Sequence, residues 1–218
     1  MGIVPKELIE AKGGIMKILI AVPTYETIYP DTFKSIYDLE RPDNSELLFE
    51  SIRGYDCAAA RNHIVKKCIE LHCDYVLMVD NDVILPKDTI INLLSHNKEV
   101  VTGYYAHRQN NTYTGKSCLC KLGEFNYTQQ YTADELRELR EQGEYCIQIH
   151  GGGAGCILIK STVFQKFEFP WFKWVQYNDG GTLSEDLYFC EQCKNNNIPI
   201  YADTRVSCGH IFRKIQEM

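Results

Sequence analysis

Short apolar runs alternate with amphipathic stretches along most of the chain. Ile18-Leu19-Ile20-Ala21-Val22 is apolar at every position. A strand covered on both faces reads this way, so it is expected at the centre of a largely parallel sheet. Pro23-Thr24-Tyr25 ends it abruptly, and Asp31 is placed to cap a short helix over residues 31–39. Residues 46–52 make a second strand. Over residues 56–72, Cys57, Ala60, Ile64, Cys68 and Leu71 recur at spacings of three and four, which places them on one face of a helix. Tyr75-Val76-Leu77-Met78-Val79 is a third buried strand and runs straight into Asp80-Asn81-Asp82. Pro86 stands where a helix begins, residues 88–95 continue it, and residues 100–104 form a fourth strand.

The second half is less regular. Residues 118–122 read as a strand, and Thr132-Ala133-Asp134-Glu135 is a capping box opening a charged helix to about residue 142. Residues 145–149 and 156–159 are strands, joined through a flexible turn at His150-Gly151-Gly152-Gly153. Ser184 caps a helix over residues 185–195, and residues 198–202 and 206–208 are short strands. Strand and helix alternate in the α/β manner. With no internal repeat and no linker-like stretch, residues 1–15 read as an N-terminal extension, with Met16 a candidate start, and 16–218 as one domain.

The 218 residues are 44% hydrophobic and 24% charged, which excludes a long disordered chain. No apolar run reaches the length of a membrane helix. Lysine and arginine total 23 against 29 acidic residues, a net charge of -6, so a whole-surface grip on nucleic acid is not expected. The ten cysteines follow no secretory leader pattern and are expected to be reduced, in a cytoplasmic protein. Cys118 and Cys120, or Cys190 and Cys193, lack the paired spacing of a zinc ribbon and read as core residues.

Candidate chemistry collects at the ends of these elements. Asp80 and Asp82 follow a buried strand, where the ligands of open α/β sheets gather, and two carboxylates one residue apart suit a hard divalent cation. Asp-Asn-Asp is also ordinary turn composition. Glu185 and Asp186 open a late helix, where acidic residues also suit the helix dipole. His210 follows the last short strand. Arg61-Asn62 lies within the first long helix, where the arginine is either a surface charge or a phosphate ligand. Arg108 poses the same choice. Trp171 and Trp174 bracket an aromatic cluster. In strand geometry one of the pair would pack inward and the other, Trp174 by preference, would face the cleft.

Taken in order, residues 18–25, Ala59-Ala60-Arg61-Asn62, 74–85, 151–159 and 184–210 resemble the family two glycosyltransferases and their GT-A-fold relatives. The resemblance implies a single GT-A-like α/β domain with a mixed, mostly parallel sheet and flanking helices. It implies a nucleotide site at Pro23, Thr24, Tyr25, Arg61, Asn62, Asp80 and Asn81, with Gly152 and Gly153 close to the donor sugar. It places Mn²⁺ or Mg²⁺ on Asp80, Asp82 and His210, and a catalytic base at Asp186 beside Glu185. The implied activity is transfer of a sugar from a nucleoside-diphosphate sugar, a UDP-sugar by default, to an acceptor hydroxyl with inversion. The acceptor would be a glycan or glycolipid precursor; a hydroxymethylated nucleobase fits the acidic balance less well. The acidic residue that reads uracil in many relatives has no counterpart in the paired form at Leu47-Leu48-Phe49-Glu50-Ser51-Ile52-Arg53-Gly54. A nucleotidyltransferase of the same fold is the alternative enzyme, although Val22-Pro23-Thr24-Tyr25-Glu26 offers neither its Gly-rich loop nor its basic residue. An inactive nucleotide- or glycan-binding domain is the alternative without turnover.

Overall fold

The apolar run after residue 15 becomes β1 (Met16–Thr24), and eight of its nine positions are buried. The computed structural model describes residues 14–109, 112–123, 127 and 129–212, so most of the expected extension over 1–15 lies outside the described residues. β1 pairs in parallel with β2 (Ser45–Arg53) on one side and β3 (Tyr75–Val79) on the other. All five residues of β3 are buried. Each large apolar side chain removed from water in this way contributes about 1.5–3 kcal/mol.

The main sheet has seven strands in the order β2-β1-β3-β11-β5-β14-β9, with β5 (Val100–Tyr104), β9 (Cys146–Ile149), β11 (Cys156–Lys160) and β14 (Ile200–Ser207). β1, β2, β3, β5 and β14 run one way; β9 and β11 run the other. α1 (Pro30–Tyr37) follows β1, and α2 (Cys57–Glu70) packs on β1, β2 and β3. α3 (Thr89–Ser95) packs on β5 and β14, and α4 (Ala133–Glu141) on β14 and β7 (Thr112–Cys120). α5 (Glu185–Asn195) packs against β10 (Gly151–Gly152). β10, β7 and β6 (Ala106–Gln109) form a second small sheet, with β8 (Gln130–Thr132) beside β7. Hairpin β12 (Val175–Gln176) with β13 (Thr182–Leu183), and pair β4 (Val83–Ile84) with β15 (Gly209–His210), complete the strands. Among the described residues, no helix is long and apolar enough to cross a membrane.

Several local expectations change. Tyr29, not Asp31, precedes α1; Pro30 opens it, and Asp31 lies in the first turn, facing the helix dipole. The strand expected over 118–122 is the end of the longer β7, and the two expected over 198–208 are one strand. The expected flexible turn at 150–153 is instead built into a small sheet: Gly151 and Gly152 are buried and pair with Cys120 and Leu119. The capping box at Thr132 and Glu135 forms in full. All ten cysteines are free thiols, eight of them buried.

Candidate active site

The carboxyl ends of β1, β2, β3, β5 and β14 lie at one edge of the sheet, and there the candidate residues meet. Two cavities, of about 470 and about 450 Å³, share Asp80, Asp82, Arg108 and Asp186. The smaller extends over Pro23, Thr24, Tyr25, Tyr55 and Asp56, and the larger over Tyr105, Gly153 and His210.

Arg61 is turned into the protein. Its side chain is 2% exposed, and its Nη2 donates to Asp80 Oδ1 at 2.7 Å, its Nε to Glu185 Oε1 at 3.3 Å and its Nη1 to the Ala154 carbonyl at 3.2 Å. A buried guanidinium needs such partners, because an uncompensated charge there costs several kcal/mol. One cation thereby ties the end of β3 to the start of α5. Asn62 is also buried. Its amide donates to the Ala58 and Phe172 carbonyls at 2.9 and 2.7 Å, and its oxygen accepts from the Trp171 and Phe172 N–H groups at 3.0 and 3.2 Å. These bonds use its whole capacity. Asn62 thus keeps no polar atom for a nucleotide, while Arg61 lines the smaller cavity with its guanidinium bonded to Asp80, Glu185 and the Ala154 carbonyl.

Asp80 keeps Oδ1 on Arg61, while Oδ2 lies over Gly155, where an added Cβ would stand 2.7 Å away. Asn81 ties the turn after β1, its amide donating to Thr24 Oγ1 and the Thr27 carbonyl. Thr24 Oγ1 itself donates to the Thr27 carbonyl at 2.7 Å. Both residues thus shape the cavity wall, and Tyr25 stands 72% exposed beside it.

Asp82 and His210 meet in the wall of the larger cavity. The His210 Nδ1 donates to the Ala106 carbonyl at 2.8 Å, which leaves Nε2 3.5 Å from Asp82 Oδ2. Burial works against both charges. The His210 and Arg108 contacts nevertheless hold the Asp82 carboxyl below its ordinary range, and Asp82 with the Ala106 carbonyl raises the imidazole. Arg108 reaches Asp82 Oδ2 at 3.2 Å and the Ile211 carbonyl at 3.2 Å.

The pair suits a divalent ion. A histidine whose Nδ1–H is fixed on a carbonyl presents a Nε2 lone pair. Neighbouring ligands of an octahedral ion stand about 3 Å apart when each is about 2.1 Å from the metal. Among the described residues no three His, Cys, Asp or Glu side chains converge into a fuller shell.

Asp186 sits at the junction of the cavities. Its Oδ1 accepts from the Ser184 hydroxyl and, at 2.8 Å, from the Leu187 N–H, so Oδ2 carries the remaining capacity. Ser184, expected to cap α5 with its side chain, instead gives its hydroxyl to Asp186. Burial and the neighbouring Glu185 raise the Asp186 carboxyl, against the Ser184 hydroxyl and Arg61. A raised carboxyl is a better proton acceptor than an ordinary one.

Sequence reasoning missed Tyr105. Its hydroxyl accepts from the Gly155 N–H at 3.1 Å, and a Cβ on Gly153 would stand 2.2 Å from that oxygen. Gly153 and Gly155 are thus required by packing on one ring. Gly152, expected near the donor sugar, is buried against Leu119. No strand forms over 171–174. Trp171 is buried and donates its indole N–H to the Phe164 carbonyl at 3.0 Å. Trp174 is 55% exposed and borders a separate cavity with Phe169 and Lys66, whose lining shares only Asp56 with that of the nearer main cavity.

No family model matches the chain, and no curated protein matches it. Solved structures do. The crystal structure of A197 from STIV matches with a TM-score of 0.60 at 17% identity, over 91% of this chain and 87% of that one. GalNAc-T7, solved with UDP, GalNAc and Mn²⁺, matches with a TM-score of 0.61 at 10% identity. That alignment covers 93% of this chain but 45% of GalNAc-T7, so the present chain spans less than half of that neighbour. At these identities the likeness is one of fold. The chain has the GT-A glycosyltransferase fold, a mixed α/β domain about a seven-stranded, mostly parallel sheet.

Proposed function

We propose that this protein is a metal-dependent glycosyltransferase of the family two kind. It moves a sugar from a nucleoside-diphosphate sugar, UDP by first choice, to a hydroxyl of a glycan or glycolipid precursor in the cytoplasm. The observation that carries this reading is the Asp82–His210 pair in the wall of a cavity that Asp186 also lines, at the carboxyl edge of the sheet. Bound Mn²⁺ or Mg²⁺ supplies Lewis acidity to the leaving diphosphate. Asp82 and His210 would hold the ion, and Asp80, with one oxygen taken by Arg61, has Oδ2 to offer.

The nucleotide would lie in the cavity bounded by Pro23, Tyr25 and Tyr55, where the exposed rings of Tyr25 and Tyr55 offer faces to the base. The sugar and acceptor would then occupy the cavity over Gly153 and Tyr105. Asp186 Oδ2 takes the proton of the acceptor hydroxyl as that oxygen attacks, while Ser184 and Leu187 fix the carboxylate through Oδ1. A single base and direct displacement give inversion.

Thermal-shift titration with UDP and GDP, with and without Mn²⁺, tests the reading, because a ligand of the folded state raises its stability. Asp82→Ala should fold and lose the Mn²⁺-dependent shift. Asp186→Asn should keep it and lose turnover by about 10²-fold or more. A native protein that shows no Mn²⁺-dependent shift with either nucleotide overturns the proposal.

A further inference from the structure

Arg108 stands in a place that a metal-binding carboxylate does not ordinarily share. Its guanidinium and the His210 imidazole both approach Oδ2 of Asp82, at 3.2 and 3.5 Å. The other arginine of the cleft is not available to Asp82, since Arg61 is buried between Asp80 and Glu185. Arg108 is therefore the guanidinium that balances Asp82. Its side chain is 36% exposed, so no core packing stands in the way of its turning, and its other contacts are the Ile211 carbonyl and the Phe212 ring, 5.9 Å away. Both cavities have Arg108 in their walls, so a rotation of this side chain stays within the cleft.

A guanidinium and a divalent cation compete for one carboxylate, and a guanidinium also fits a diphosphate in a bidentate manner. We propose that Arg108 is a tethered cation that neutralises Asp82 in the empty site and turns to the diphosphate of the donor once a divalent ion takes its place. The inference rests on the glycosyltransferase reading above and adds a residue to it. It makes metal and diphosphate binding cooperative: the ion frees Arg108, and the freed Arg108 supplies a phosphate ligand. Tight binding of the ion alone is disfavoured.

Two binding measurements in opposite directions test this, using Mn²⁺ alone and inorganic pyrophosphate as probes. Free Mn²⁺ is followed by its paramagnetic resonance signal, and pyrophosphate by calorimetry at saturating Mn²⁺. Arg108→Gln should bind Mn²⁺ alone about threefold or more tightly than the native protein, the scale of removing a partly exposed ion-pair competitor. The same variant should bind pyrophosphate about tenfold more weakly, and Arg108→Lys should recover part of that loss. Circular dichroism establishes that each variant is folded, and a misfolded Arg108→Gln would pass the test to Arg108→Lys, expected to show the weaker pyrophosphate binding alone. If both probes weaken together, or neither changes, the residue is structural and the inference fails while the metal site stands. If the native protein binds neither probe, the glycosyltransferase reading fails with it.

Discussion

Replacing Asn62 separates a structural clamp from a nucleotide ligand. In the native protein its side chain makes four hydrogen bonds, two of them accepted from the buried N–H groups of Trp171 and Phe172. Asn62→Ala strands those two donors and the Phe172 carbonyl. A buried polar group left unpaired costs about 1–3 kcal/mol, so two donors alone give about 2–6 kcal/mol before the segment relaxes or admits water. We expect about 3–5 kcal/mol lost in urea unfolding, read as a lower midpoint at unchanged slope. At low temperature, where the variant remains folded, Mn²⁺-dependent nucleoside-diphosphate affinity should stay within about twofold of native, because no polar atom of Asn62 is free to touch the ligand. A stability loss below about 1 kcal/mol would refute the clamp. So would a loss of nucleotide affinity at native stability, which would return Asn62 to the donor site.

The two tryptophans should behave differently. Trp171→Ala should cost about 3–5 kcal/mol of stability, whereas Trp174→Ala should cost little, and equal losses in thermal or urea unfolding would contradict the observed burial. A pH-dependent contribution comes from His96. Burial opposes its charge, but the Asp203 carboxylate bonded to Nε2 at 2.7 Å and the nearby Cys146 outweigh it and raise the imidazole to about 9. Its stabilisation is therefore complete below the unfolded value of about 6.5 and is lost as pH rises through about 9. Unfolding free energies between pH 6 and 10 should fall more steeply for the native protein than for His96→Gln, and parallel curves would show that the pair contributes nothing to this dependence.

Much of the scaffold is written in local pattern. The five apolar residues of β3, the three-and-four spacing along α2 and the capping box of α4 each lie within one helix or one strand, where the period of the chain decides which side is covered. The position of Asp80-Asn81-Asp82 follows from the same logic, because a buried strand must end before a run of acidic residues begins. Seven short strands were not legible: β4, β6, β8, β10, β12, β13 and β15 are two to four residues long, too short to show a period, and β4 with β15 also needs a partner more than a hundred residues away.

The antiparallel insertion of β11 between β3 and β5 depends on such partners too, since direction within a sheet leaves no trace in a fully buried apolar run. Arg61 is the sharpest case at the site. A charged residue on a helix reads as exposed, and it turns inward here because the ends of β3 and α5 bring two carboxylates to it across 19 and 124 residues of sequence. Gly153 reads as part of a flexible turn, yet the Tyr105 ring leaves no room for a side chain there or at Gly155. The sequence by itself determined the α/β order of elements and which residue types stand at their ends. Only the tertiary structure decided which of those polar residues face the cleft and which are used up holding it together, because hydrogen-bonding capacity is spent between residues that the chain alone does not bring together.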